Sequence, residues 1–388
     1  VFNTQLSNKF NNTYNTQNAG VTYRIGDRDN QFSAGVSFQN SNLKSEQVFP
    51  KTLTVNKSFT NVLPNLQLRK KLSAQTSINV FFRTSVNSPS VTQLQNVENT
   101  NNPLNISTGN PDLKQQYTSS LVTRFTFTNT LKGQSFFANI FLQQANNYVT
   151  NATFFNNRKD SILESGYRLD TGVVLTKPIN LSGYLNIRSF LTYGAPLKFI
   201  KSNINLNAGV TYSKLPGATN YIKYLTDNFV YNAGAVLSSN ISQYIDFNLS
   251  YNTSYNIITQ QPTNRLISSS AGIQFNLLTK KGQFLQNDLN NQSYRYQNGT
   301  PNVNFWLWNL AVGQKFLKDQ KGELKLSVFD LLKQNKSVNR TVSGNYVEDV
   351  QSQVLQRYFM LTFTYKLKNF GTPAARAENN RQREDRGF

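Results

Sequence analysis

The sequence has no cysteine and no histidine. Without cysteine there is no disulfide, no thiol nucleophile and no thiolate metal site. Without histidine the usual general base and the commonest transition-metal ligand are missing. The 19 acidic residues are scattered over 388 positions, with no paired spacing that suggests carboxylate catalysis. The sequence therefore reads as a non-enzyme with no metal and no cofactor. It also lacks an apolar run of about 18 residues, the length a membrane-crossing helix needs. Charge is scarce, at 15% of residues, and methionine occurs once. No leader is visible at Val1-Phe2-Asn3. An exported protein carries one upstream, so the chain reads as a mature or excised segment of something longer.

Aromatic residues and uncharged polar residues fill the space left by these absences. Only 38% of residues are hydrophobic, yet 13% are aromatic, with 28 Phe and 19 Tyr. The mean hydropathy is negative. A membrane barrel explains the mixture, because one face of each strand meets lipid and the other a wet lumen. Closed barrels also satisfy every backbone hydrogen bond inside lipid. The net charge of +21 has two readings. One is a basic lumen or nucleic-acid surface. The other is basic residues dispersed over loops, strand ends and tail. The absence of a basic helix or basic-aromatic motif favours the second and argues against a nucleic-acid partner.

Periodicity sets the fold class. Ile204, Leu206, Ala208, Val210 and Tyr212 alternate with Asn203, Asn205, Asn207, Gly209 and Thr211. Alternate side chains of a strand point to opposite faces. Ile245, Phe247, Leu249 and Tyr251 repeat the pattern, as do Ile267, Ala271, Ile273, Phe275 and Leu277. Leu121, Phe125 and Phe127 oppose Arg124, Thr126 and Thr128; Ile78, Val80 and Phe82 oppose Asn79, Phe81 and Arg83. A helix would mix these polar residues into its apolar face. Tight links at 26–30, 70–73, 131–134, 280–282 and 318–322 read as hairpin turns. Longer polar stretches at 88–115, 151–165, 294–302 and 332–353 read as loops on the opposite rim. The region 194–243 has two candidate links, at 213–217 and 238–243, whose rims the pattern leaves open. The expected fold is an all-β, antiparallel, up-and-down transmembrane barrel, with about 16 strands, roughly 14 to 18, in this chain. A soluble sandwich is disfavoured because its strands usually run about five or six residues.

The last expected strand places Phe359, Leu361, Phe363, Tyr365 and Leu367 on a lipid-facing side, opposite Tyr358, Met360, Thr362, Thr364 and Lys366. The barrel is expected over residues 1–370. A polar tail, 371–388, reads as disordered and periplasmic.

Pro89-Ser90-Val91-Thr92-Gln93-Leu94, then Asn102-Pro103-Leu104, then Gly109-Asn110-Pro111-Asp112-Leu113-Lys114 resembles a loop of TonB-dependent-receptor-like outer-membrane barrels of Bacteroidetes. Gln115-Gln116 stands where that family usually has Pro-Glu. Val328-Phe329-Asp330-Leu331-Leu332 with Gln334-Asn335 and Arg340, and the run Arg357 to Leu367, are also similar to that family. The resemblance implies a barrel of about 22 strands, with an N-terminal plug and a coupling motif. Neither is recognisable here, so the chain is expected to be the C-terminal portion of that barrel, with a smaller, complete barrel as the alternative. It implies outer-membrane localisation and uptake of a bulky nutrient. Implied partners are membrane lipid and lipopolysaccharide, a TonB-type energy-coupling protein reached through the missing N-terminal region, and a surface lipoprotein. A barrel that scaffolds a surface or secretion assembly is the alternative function.

Inward-facing Arg83, Arg124 and Arg188 are candidate lumen contacts for a ligand, or a solvated lumen wall. The loop motif Pro89, Asn102, Pro103, Gly109, Asn110 and Pro111 either contacts ligand or fixes turns. Asp330 either binds a ligand or hydrogen-bonds near the end of its strand.

Overall fold

The computed structural model describes residues 9–49, 53–95, 97–156, 161–162, 168–239, 241–242, 244–259, 264–297, 302–342 and 347–367. The tail expected at 371–388 lies outside these residues. In chain order the elements are β1 (Lys9–Gly26), β2 (Asn30–Phe49), β3 (Leu53–Lys71), β4 (Thr76–Asn87), α1 (Val91–Leu94) and β5 (Asn105–Ser107). Then come β6 (Gln116–Asn129), β7 (Gln134–Asn146), β8 (Tyr148–Phe155), β9 (Ser161–Ile162), β10 (Arg168–Leu169), β11 (Val174–Leu181) and β12 (Tyr184–Leu197). The remainder are β13 (Ser202–Thr219), β14 (Ile222–Ser239), β15 (Ile245–Ile258), β16 (Asn264–Leu278), β17 (Gln283–Tyr296), β18 (Val303–Phe316), β19 (Gly322–Phe329), β20 (Ser337–Val342), β21 (Val347–Ser352) and β22 (Tyr358–Tyr365).

The main sheet has 18 strands. Its wall is a meander of antiparallel neighbours: β1 to β4, β6, β7, β12 to β19, and β22. The sheet is one layer. Leu206 and Phe363 are 42% and 63% exposed, so no second sheet covers them as a sandwich would.

Register assigns the two faces. Ser33, Ser41, Leu43 and Ser45 of β2 are buried, Leu43 against loop residues Leu94 and Leu113, and define the inner face. The alternate positions Phe32, Val36 and Phe38 are exposed and define the outer face. Carried along the ladders, the outer face collects Val21, Tyr23, Ile140, Leu206, Val210, Leu249, Ile273, Val312 and Leu326, all exposed. An apolar surface this large marks contact with membrane. Phe359, Leu361, Phe363 and Tyr365 share this face by register, and Leu367 follows two residues past the end of β22.

Most turns fall where the sequence places them. Asp27–Asp29, Leu72–Gln75, Thr130–Gly133, Thr279–Gly282 and Leu317–Lys321 join neighbouring strands on one rim. Asp27 shows the chemistry: its carboxylate accepts from the backbone N–H of Asp29 at 2.9 Å and of Asn30 at 2.7 Å. Gly26 has φ 103°, and a Cβ there would meet the Asn30 carbonyl oxygen at 2.0 Å.

Two expectations shift. The candidate link 213–217 is no turn at either rim: Ser213 to Gly217 lie inside β13, paired with Asn228 to Tyr224 of β14. The reversal occurs at Asn220 and Tyr221, both at positive φ (47° and 70°), a two-residue hairpin turn of the kind that matches strand twist. Pro216 misled the pattern because its fixed φ also suits extended backbone. Likewise 151–155, expected as loop, belongs to β8, which pairs with β11 beyond Asn147 (φ 52°).

Candidate functional site

Two features of the inner face and its rim carry chemistry. The first is the wall. Arg83, Arg124 and Arg188 all project to the inner face, on β4, β6 and β12. Arg124 donates through Nε to Asn139 Oδ1 at 3.1 Å. The Arg188 guanidinium lies 4.5 Å from the centroid of the Phe141 ring. Arg69 of β3 joins them and was not singled out from sequence. It donates through Nε to Asn79 Oδ1 at 3.2 Å, and Asn79 is the register partner of Arg124. Arg69, Asn79, Arg124 and Asn139 thus form one row across four neighbouring strands. Its signal in the sequence is weak, since Arg69 stands beside the turn lysines Lys70 and Lys71. The strands β3, β4, β6, β7 and β12 contain no acidic residue. The field of these arginines therefore goes unopposed within this part of the wall.

Further round lies an uncharged stretch of the wall. Asn207, Asn232, Asn252, Ser254, Ser268, Ser270, Gln292 and Tyr294 line a shallow recess of about 240 Å³ on the inner face. Gly234 lets the Asn207 and Asn252 amides approach, at 2.3 and 2.2 Å from where its Cβ would stand.

The second feature is the long-loop assembly between β4 and β6. Ser90 caps α1 by accepting from Gln93 N, and the Gln93 side chain returns a bond to Ser90 N at 2.9 Å. This reciprocal capping box fixes a four-residue helix whose Leu94 is buried with Leu113 and with Leu43 of the wall. The loop is then tied to the inner face. Lys57 Nζ donates to the Leu113 carbonyl at 2.9 Å, and Asn61 Nδ2 to Gln115 Oε1 at 2.7 Å. Gln115 Nε2 donates to Ser88 Oγ at 2.8 Å, and the Tyr14 and Ser88 hydroxyls share a hydrogen bond.

The motif residues hold this assembly together. Pro89 is buried. The Asn102 carboxamide accepts from Leu104 N at 3.1 Å, with Pro103 exposed between them. A Cβ on Gly109 would meet the Gln95 carbonyl oxygen at 1.9 Å, so only glycine fits this close approach. Asn110 donates from N to Gln93 O at 2.6 Å and from Nδ2 to Pro178 O at 2.9 Å. Its own Oδ1 accepts from Asp112 N at 3.0 Å, bridging Pro111. These bonds are those of a turn-fixing motif, and Gly109 also borders a cleft described below. Asp330 is 3% exposed and accepts from the backbone of Gln334 and Asn335 at 2.9 and 3.1 Å. It caps the loop after β19.

Residues 1–304 match a family described as "Outer membrane protein beta-barrel family". No curated protein matches the chain. Among solved structures, the in-vitro folded trimer form of OmpT, an outer membrane protein of Vibrio cholerae, is similar at 8% identity and a TM-score of 0.35. The match covers 92% of this chain and 99% of that one. A likeness so slight carries no argument about activity.

Proposed function

The chain belongs to the outer membrane protein β-barrel family, and from that premise we propose an uptake barrel, similar in plan to TonB-dependent receptors, that admits a bulky solute bearing anionic groups. Strands rather than helices cross the outer membrane, with the apolar face to lipid and the polar face to the lumen. The observation that carries the uptake reading is the long-loop assembly seated on the inner face and tied to it by Lys57, Asn61 and Gln115. A loop drawn inward narrows the lumen at one rim and brings polar groups to a passing ligand. The unopposed Arg69, Arg83, Arg124 and Arg188 favour anionic groups on that ligand, because guanidinium forks pair with carboxylate or phosphate. A lumen position also spares each arginine the roughly 2–4 kcal/mol it costs in mid-bilayer lipid. Energy would come from a TonB-type coupling protein, and a surface lipoprotein would help capture the solute.

The test compares wild-type cells, deletion cells and cells carrying R83Q/R124Q/R188Q, by mass spectrometry of what each removes from a complex medium. Wild type is expected to deplete at least one anionic solute that the other two leave behind. Depletion should stop when the proton-motive force is collapsed. Identical depletion by all three strains, with a lipoprotein stably bound to the barrel, would turn the reading toward a scaffold.

A further inference from the structure

Between the loop and the β8–β11 ribbon lies an open cleft of about 590 Å³. Gln95, Glu98, Thr108 and Gly109 line it from the loop, and Asn151 and Thr176 from the ribbon. Parallel pairing of β5 with β11 holds the two sides in place. Glu98 is only 7% exposed. The ion pairs among the described residues are Lys44–Glu46 and Lys71–Asp29, so Glu98 has no counter-charge there. Gln95 Nε2, on the same cleft, is buried and has no hydrogen-bond partner.

We propose that this cleft binds a protonated amine, with Glu98 as its counter-charge and the Gln95 amide donating to an oxygen beside it. An ionised carboxylate taken out of water is costly unless a cation and hydrogen bonds replace the solvent. An ammonium supplies three donors and no acceptor. A cleft lined by one carboxylate and by hydroxyl- and amide-bearing side chains matches that demand. Calcium prefers six to eight oxygen ligands with several carboxylates, and no group of three acidic side chains gathers among the described residues. The volume is that of a site for a small molecule or one end of a larger one. The net charge of +21 repels cations from the surface at large, so an amine held here is held by the cleft. The inference rests on the uptake reading only for the route by which a solute arrives.

The experiment is calorimetric titration of the intact barrel, folded in detergent, with cadaverine and with its N,N′-diacetyl derivative, which has lost both charges. Wild type is expected to bind cadaverine at least about tenfold more tightly than the diacetyl form, a difference of about 1.4 kcal/mol. Glu98→Gln should weaken cadaverine binding by a similar factor, and the control Glu46→Gln, at a half-exposed residue paired with Lys44, should leave it unchanged. Asn151→Lys, at an exposed position on the opposite wall, places a tethered ammonium in the cleft and should abolish binding with Glu98 intact. That variant carries the test if Glu98→Gln does not show the heat-shifted gel mobility of a folded barrel. Equal binding of the two probes, or unchanged cadaverine binding in both variants, overturns the amine site. Amine binding without solute depletion by cells would leave the site standing and reject uptake instead.

Discussion

Asn287 is a polar side chain on the lipid face of β17, and its partners explain how it is tolerated. Its Nδ2 donates to the Ile273 carbonyl at 3.1 Å, and its Oδ1 accepts from Trp308 Nε1 at 2.8 Å. Hydrocarbon offers no substitute for either bond. Asn287→Ala is expected to destabilise the barrel by about 1 kcal/mol, chiefly by stranding the indole N–H, and urea unfolding from lipid vesicles would measure it. At the rim, the backbone N–H groups of Asn30 and Asp29 hold the Asp27 carboxyl below its ordinary pKa. A depressed carboxyl stabilises the fold above its unfolded pKa, and that contribution is lost as pH falls through the folded value. The stability gap between wild type and Asp27→Ala should therefore be present at neutral pH and shrink below about pH 4. A gap independent of pH would show that the charge is irrelevant to the turn.

At the scale of the element, β13 states the design of the wall. Ile204, Leu206, Ala208, Val210 and Tyr212 face outward, and Asn203, Asn205, Asn207, Gly209 and Thr211 face inward, over one continuous ladder with β12 and β14. Beyond Tyr212 the outer face turns polar at Lys214, and across the ladder the Tyr212 hydroxyl donates to Asp227 Oδ1 at 2.7 Å. That is the border expected between an apolar band and its aromatic girdle. Leu206→Arg should cost about 2–4 kcal/mol if the position lies near the bilayer midplane, and its neighbour Asn207→Arg close to nothing. Folding yield into vesicles, read by heat-shifted gel mobility, separates the two. Equal yields would mean the faces are wrongly assigned. The ladder between β3 and β4 ends at Asn65 and Arg83, next to Pro64, which has no N–H to offer. The Thr84 hydroxyl reaches the Pro64 carbonyl at 3.0 Å instead.

For the whole molecule, both tryptophans lie on β18 at outward positions, Trp306 and Trp308. Tryptophan fluorescence thus reports on the lipid face alone. Brominated phospholipids are expected to quench it more than acrylamide does from the aqueous side. Stronger quenching by acrylamide would put this face in water. The edge strands β1 and β22 both run from the long-loop rim to the short-turn rim, and neither edge has a further partner among the described residues. A ring of these wall strands alone would close through a parallel pair, whereas antiparallel closure takes an odd number of additional strands.

The sequence by itself determined the strands, their faces and most of their turns. A period of two survives in any strand whose two sides meet different solvents, and Gly26, Gly133 and Gly282 mark three of the turns that take positive φ. It placed Arg83, Arg124 and Arg188 on the inner side for the same reason. The tertiary structure alone decided what those faces bring together. Arg69 meets Asn79 and Arg124 only through register across three strands, and the turn at Asn220 and Tyr221 overrode the stronger local signal of Pro216 and Gly217. Glu98 and Gln95 share a cleft only because the loop folds back against β8 and β11. Local pattern records which solvent a side chain faces. Which distant side chain it faces is set by ladders joining residues far apart in the chain, and no periodicity encodes that.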